Sequence, residues 1–435
     1  MKNHFFSIST LSAIFLLSTS ACGQTTPAKT VKTGAGKTIT LPEADTKASK
    51  INFSKVVAWP AGKTPVAPAG FIVTKFAEGM KSPRNIVVAP NGDIIVVLSN
   101  SQRTKIEQAA NIITGKAQSE VQGKSVNTVM LFRDANKDGK PEVVSTFLTG
   151  LNQPYGAAFI GNSFYVANTD GVWKYPYKAG DIKITGEGKK ILDLPAGGYN
   201  NHWTRNLIVN AAKTKLYVSV GSGSNVAEKG LDNEIRRANI LEFNPDGTGE
   251  KIYGSGLRNP VGMAWAPGTN ALWTAVNERD GLGDDLVPDY ITSVKPGAFY
   301  GWPFSYFGQN EDPRMKGQNP ALVAKALVPD IPVGAHTASL GLAFYTAKKF
   351  PAKYQGGVFI GQHGSWNRSE LVGYKVAFIP FKNGKPTGPL EDFLTGFIKD
   401  EKEVYGKPVG VAVAQDGSLL VADDVSGIIW RVAAK

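Results

Sequence analysis

One pattern recurs from residue 82 to the end of the chain: an entrance carrying Pro, Arg or Gly, an alternating apolar strand, a turn, and a second apolar strand. The first copy is Ser82-Pro-Arg-Asn-Ile-Val-Val-Ala-Pro-Asn-Gly-Asp-Ile-Ile-Val-Val. Later copies open at Gln153-Pro-Tyr-Gly, Thr204-Arg-Asn-Leu, Arg258-Asn-Pro-Val-Gly, Ser339-Leu-Gly-Leu and Lys407-Pro-Val-Gly. Further apolar runs such as Thr128-Val-Met-Leu-Phe-Arg and Asn239-Ile-Leu-Glu-Phe lie between copies, giving about four strands per unit. Six such units predict an all-β fold, a six-bladed β-propeller. The run Gly70-Phe-Ile-Val-Thr-Lys-Phe precedes the first copy, and Gly427-Ile-Ile-Trp-Arg-Val ends the last. The early run is therefore expected to complete the final blade and close the ring. An array of β-sandwiches accommodates the strands but not the shared entrances. Trp265, Trp273 and Trp430 fall inside strands and read as packing.

Composition fits that architecture. A hydrophobic share of 42% supplies a large core, and 48 glycines with 26 prolines supply the turns. The N-terminal segment reads differently. Residues 1–21 carry a lysine, an apolar stretch from Leu11 to Leu17 and then small residues, which predicts a signal peptide and export to a periplasmic location. Cys22 follows Thr19-Ser20-Ala21 as in a bacterial lipoprotein, although Thr19 replaces the usual leucine, so lipid attachment and membrane anchoring at Cys22 are expected. Residues 22–50 lack aromatics and read as a flexible tether, leaving 51–435 as the propeller domain. Cys22 is the only cysteine, so no intramolecular disulfide forms. The net charge of +12 is spread along the chain without a basic arm or motif, which argues against nucleic acid as a partner.

In a propeller the entrances of all innermost strands open on one face, so residues far apart in sequence meet there. His202, His336 and His363 all stand at such entrances, with Arg205, Arg258 and Lys407. Cations and imidazoles gathered at one point suit a polyanionic cofactor beside a proton acceptor. Away from the entrances, Asp134-Ala-Asn-Lys-Asp-Gly-Lys-Pro-Glu142 has the opening oxygen spacing of a calcium loop, but a tight β-turn needs the same Asp and Gly residues.

Several segments carry a family resemblance. They are His202-Trp-Thr-Arg-Asn-Leu, Gly256-Leu-Arg-Asn-Pro-Val-Gly-Met-Ala-Trp, Glu278-Arg-Asp-Gly-Leu-Gly-Asp-Asp-Leu-Val-Pro-Asp, Tyr300-Gly-Trp-Pro, His363-Gly-Ser-Trp-Asn-Arg-Ser and Val409-Gly-Val-Ala-Val-Ala-Gln-Asp-Gly. From about residue 70 onward the chain resembles the glucose/sorbosone dehydrogenases, six-bladed propellers that use pyrroloquinoline quinone (PQQ) and calcium (Ca2+), and it looks closest to the sorbosone branch. The resemblance implies a quinoprotein oxidising an aldose or aldehyde sugar to the lactone or acid. It implies His202 as general base and Arg258 with Asn259 as contacts of the quinone. Lys407 stands where relatives often have arginine, and Arg205, His336, His363 and Arg368 are further candidates for the cofactor or substrate. The loop from Glu278 to Asp285 matches the segment that supplies backbone carbonyls to calcium, which points to Asp280 and Gly281, although these replace a Gly-Pro of the soluble glucose enzymes. Val261 replaces a glutamine of those enzymes and argues against glucose as substrate.

Two other classes compete. Calcium-dependent propeller lactonases hold a channel metal with carboxylates and amides, whereas the entrances here show mostly cations and histidines. A non-catalytic propeller binding glycans or a protein fits the tether but leaves His202 idle. No Cys-x-x-Cys-His is present, so a dehydrogenase of this sequence passes electrons to a separate quinone or cytochrome.

Overall fold

Alternating apolar residues between glycine-rich turns give strands with one face for each neighbouring blade, and six sheets result. A computed structural model describes residues 28–47 and 50–435. Each blade is built on a four-stranded antiparallel meander, to which the third adds a short parallel strand, Ala298–Phe299, and the innermost strands are Pro83–Val88, Gly156–Ile160, Leu207–Val209, Asn259–Trp265, Ser339–Phe344 and Pro408–Val413. The ring closes as the sequence predicts. Phe71–Ala77 pairs with the C-terminal strand Ile428–Ala434, with Val73 opposite Val432. An early strand completing the last blade ties that blade to the first and holds the ring shut.

Glycine in the entrance pattern has a packing cause. A Cβ on Gly156 would lie 2.1 Å from the Leu207 nitrogen in the next blade, and one on Gly341 would lie 2.1 Å from the Val409 oxygen. Blades one and three use asparagine here instead: the Asn85 amide donates to the Tyr155 oxygen at 3.1 Å, and the Asn206 amide to the Val261 oxygen at 2.7 Å. Aromatic pairs fill the spaces between blades, for example Phe147 edge-on to Phe164 and Trp273 edge-on to Phe381. Burying each such ring contributes about 1.5–3 kcal/mol. Trp273 and Trp430 are fully packed, and Trp265 is partly buried with its indole N–H donated to the Val209 oxygen. Tyr155, Val261, Leu340 and Val409 meet as a buried cluster on the channel side of four blades.

The N-terminal segment departs from the tether reading. Residues 1–21, Cys22 and the start of the tether lie outside the described residues. From Lys29 the chain forms a hairpin, Lys29–Lys32 with Thr38–Leu41, docked on the propeller. Leu41 is 2% exposed and packs with Leu282, Leu286 and Tyr290, so aliphatic side chains supply the burial that the missing aromatics do not. The segment then crosses the entrance face: Asp45 N–H donates to Leu282 O, Asn52 N–H to Trp366 O, and Lys55–Val56 pairs in parallel with Glu403–Val404. An insertion in the first blade, residues 99–127, faces it. Its helix Lys105–Ile113 starts at a capping box between Thr104 and Glu107.

Candidate active site

A cavity of about 270 Å³ opens among the entrances. His202, His336, His363, Arg258, Asn259, Asp280 and Lys407 all line it. Phe53 of the crossing segment and Arg103, Lys116, Ser119 and Glu120 of the insertion complete its wall.

His202 ends the approach to the third blade. Its Nδ1 lies 2.8 Å from the Ser222 carbonyl oxygen and 3.0 Å from the Ser222 hydroxyl. A carbonyl only accepts, so Nδ1 carries the hydrogen and Nε2 keeps a lone pair. Burial, reinforced by the Arg258 charge, pushes the His202 pKa down to about 3, so the ring is neutral at ordinary pH. Gly221 makes this approach possible, since a Cβ there would lie 2.6 Å from His202 Cβ and 2.5 Å from Asn259 Oδ1. Behind the histidine, buried Glu234 accepts from Gly223 N, Ser224 N and the Ser224 hydroxyl at 2.6–3.0 Å, which fixes the loop that carries Ser222.

Asn259 is 7% exposed, and its Oδ1 has no hydrogen-bond partner in the protein. Lys407 is buried, with Nζ 2.8 Å from the Ser119 hydroxyl, and burial pushes its pKa down to about 8. His363 Nε2 lies 3.0 Å from Asp424, whose other oxygen binds Arg84; despite burial, His363 and the neighbouring cations hold Asp424 well below the usual carboxylate range. His336 adopts φ +61°, with Nδ1 3.2 Å from Asp280 and Nε2 2.9 Å from the Gly283 oxygen. Burial lowers its pKa, but the Asp280 contact outweighs burial and the net shift is upward.

Two sequence expectations need correction, and two further groups are already engaged within the protein. Arg205 does not reach the cavity: it is fully buried and donates to Pro195, His202 and Thr204 oxygens and to Asn200, bracing its own loop. Arg368 also lies outside the cavity lining, 3.4 Å from Asp285. Arg258 lines the cavity as expected, and its guanidinium already meets Asn225, Asn277, Glu278 and Asp280 acceptors at 2.7–3.4 Å, so what it offers is a buried charge. Of the two carbonyls expected for calcium, that of Asp280 already accepts from Asn225 Nδ2 at 2.9 Å and Arg314 Nη1 at 2.8 Å. Gly281 is held through its N–H, 3.3 Å from Asn367.

The wall is also less one-sided than the entrances suggest. Arg84, Arg103, Lys116, Arg258 and Lys407 are matched by Glu120, Glu278, Asp280, Asp289 and Asp424. Each of these carboxylates already has a basic or N–H partner. Among the described residues the group of three carboxylates spaced for an ion is Asp134, Asp138 and Glu142, outside this cavity. Backbone N–H groups of the same turn donate to all three, as a tight turn requires. Arg84, Arg103, Lys116 and Asp424 are cavity residues that the sequence reading missed. Arg84 was detectable, because Arg84-Asn85 repeats the dipeptide at 205–206 and 258–259.

Fold and cavity together define a six-bladed propeller with one polar pocket at its strand entrances. The family model described as TrAA12-like matches residues 65–298 and 305–435, and the chain belongs to that family. An uncharacterised protein of Borreliella burgdorferi is 29% identical over 378 residues, covering 83% of this chain and 94% of that protein. A pyrroloquinoline quinone-dependent pyranose dehydrogenase of Coprinopsis cinerea is 24% identical over 428 residues, covering 83% of this chain and 54% of the relative, so the chain spans about half its length. The solved structure of a Trichoderma reesei family AA12 protein shares the fold with TM-score 0.69 at 20% identity, covering 85% of this chain and 98% of that one.

Proposed function

We infer that this chain is a quinoprotein that binds PQQ in the entrance cavity and oxidises an aldose or aldehyde sugar such as sorbosone. The observation that carries the reading is the pairing of His202, with Nε2 unengaged, and Asn259, with an unpartnered oxygen, in the cavity of a family whose relatives include a PQQ-dependent pyranose dehydrogenase.

The residues present fit such a cofactor. Buried polar atoms left without partners in the cavity wall include Asn259 Oδ1, Ser82 Oγ, Arg84 Nε and Arg103 Nε. Buried groups of this kind are costly unless a ligand satisfies them. Lys407 uses one donor on Ser119 and has others for a carboxylate. Arg84, Arg103, Lys116 and Lys407 all come from the first blade, its insertion and the sixth blade, and this concentration of cations favours that side for the cofactor's carboxylates. When bound, the quinone supplies a two-electron acceptor for the hydride leaving the sugar carbon. His202 Nε2 then takes the hydroxyl proton, and the resulting imidazolium keeps its Nδ1–H on Ser222. Asn259 orients the reactants through its amide. The buried apolar cluster that includes Leu340, and the crossing segment with Phe53, limit water around the transfer.

Export, lipid attachment at Cys22 and a separate quinone or cytochrome as final electron acceptor belong to the same proposal, supported by the sequence alone. The test is dye-linked oxidation across an aldose and aldehyde panel by the purified protein, with and without PQQ. Absence of both quinone binding and sugar oxidation across the panel rejects the reading.

A further inference from the structure

The loop from Glu278 to Gly283 is where the resemblance calls for a metal, yet the carbonyl oxygens of Glu278, Asp280, Leu282 and Gly283 are taken by the protein itself, and the oxygen left without a partner is the side-chain Oε1 of Glu278. Glu278 O accepts from Arg258 Nη1 at 2.7 Å, and Leu282 O accepts from Asp45 N at 3.0 Å. Gly283 O lies 2.9 Å from His336 Nε2. Asp280 is the fullest case. Its carbonyl oxygen has two lone pairs and two N–H donors, Asn225 Nδ2 and Arg314 Nη1. Its carboxylate faces His336 on one oxygen and Arg258 on the other.

These donors are not loose surface groups. Arg314 is pinned by Asp312 through Nε at 2.9 Å and Nη2 at 2.8 Å, and Asp312 is itself fully buried against Arg279. Asn225 holds Asp280 twice, receiving its N–H at 3.0 Å and donating to its oxygen. Calcium requires six to eight oxygens. It would have to evict a clamped guanidinium and then sit beside two permanent positive charges, an arrangement that like-charge repulsion disfavours.

We propose that this cavity holds its quinone without calcium, the positive charge at the 278–283 loop being supplied by Arg258 and Arg314 with His336 as a further donor. The inference rests on the quinoprotein reading above. It differs from the metal-dependent arrangement that the resemblance implies, and it assigns Arg314 a part that the sequence motifs do not.

The experiment is equilibrium binding of PQQ to the full chain after chelator treatment, followed by quenching of protein fluorescence, since Trp203 and Trp366 line the cavity. Titrations run in chelator and in added calcium. A calcium ion that helped hold the quinone would tighten binding by about 100-fold at a concentration 100 times its own Kd. The expected result is the same affinity in both conditions, with no stoichiometric calcium in the complex by elemental analysis. Quinone binding that appears only with calcium, or one calcium per bound quinone, overturns the proposal. The Arg314→Gln variant separates its parts: it frees Asp280 O and removes a charge, so it should bind PQQ more weakly in chelator than the parent and recover when calcium is added. An unchanged affinity for this variant in chelator removes Arg314 from the proposal and overturns the stated charge assignment. Failure to bind PQQ in either condition rejects the quinoprotein reading, and this inference falls with it.

Discussion

His202 and Ser222 make the contact that fixes how the cavity can move a proton: imidazole Nδ1 sits 2.8 Å from the Ser222 carbonyl oxygen, so the unshared electron pair is on Nε2. The carbonyl cannot donate, so the tautomer is set by the backbone and not by a titrating partner. His202→Ala is therefore expected to lower turnover by about 100-fold or more while leaving PQQ affinity near that of the parent, the usual scale for losing a positioned proton acceptor. Turnover and quinone affinity measured on the same preparation check this. Near-parental turnover at saturating PQQ would take His202 out of the mechanism.

Glu234 acts on that contact from behind. Its buried carboxylate holds Gly223 N, Ser224 N and the Ser224 hydroxyl, so Glu234→Ala leaves two amides without their partner, each costing about 1–3 kcal/mol. Loss of melting temperature alone would fit a purely structural part. A positioning part predicts in addition that kcat falls more than KM changes, and that the imidazole nitrogen shifts of His202 show a mixture of tautomers. An imidazole spectrum identical to the parent's would reduce Glu234 to scaffold.

The pH dependence of cofactor retention should follow Lys407. Burial brings its pKa down to about 8, so the ammonium proposed to hold a cofactor carboxylate is present below that pH and is lost as pH rises through it. PQQ affinity is predicted to weaken by about tenfold across this range, the scale of a hydrogen bond to a charged group. Lys407→Met should bind weakly at all pH values with a flat profile over the same window. His202 is depressed as well, to about 3, so it stays neutral through the acid range and gives turnover no fall near pH 6.5. A titration of PQQ affinity from pH 6 to pH 10, with kcat alongside, reads both.

Local signals carried the fold. Period-two apolar runs and glycine turns are properties of each segment, so six blades and the closing strand Phe71–Ala77 could be read without knowing any contact. Convergence of His202, Asn259 and Lys407 followed from the geometry of a propeller. The dipeptide Arg-Asn shows where that logic stops. At 84 the arginine faces the cavity and binds Asp424, at 205 it turns back on its own loop, and at 258 surrounding carbonyls occupy its donors. Which outcome occurs depends on the carbonyls of non-repeating loops, and those carry no periodic signal. The hairpin at Lys29–Leu41 was hidden for a related reason, because Leu41 with Val31 and Ile39 beside it anchors what composition describes as a polar stretch.

The blade spacing itself is open to test at Gly341. Here φ is not the constraint; the neighbour is, since a Cβ would come within 2.1 Å of the Val409 carbonyl oxygen and 3.2 Å of Val411 Cγ1's partner methyl, Cγ2. The Val409 oxygen is backbone of the innermost strand of the next blade and cannot swing aside. Gly341→Ala must therefore push blades five and six apart, and overpacking of this kind costs about 1–3 kcal/mol or more. Gly197, around which nothing lies within 4 Å of an added Cβ, is the matched control. Thermal melts should show a clear loss for Gly341→Ala and little change for Gly197→Ala. Because Leu340 lines the cavity, the Gly341 variant should also weaken PQQ binding, whereas equal melting temperatures for the two variants would show that the blades tolerate a wider spacing.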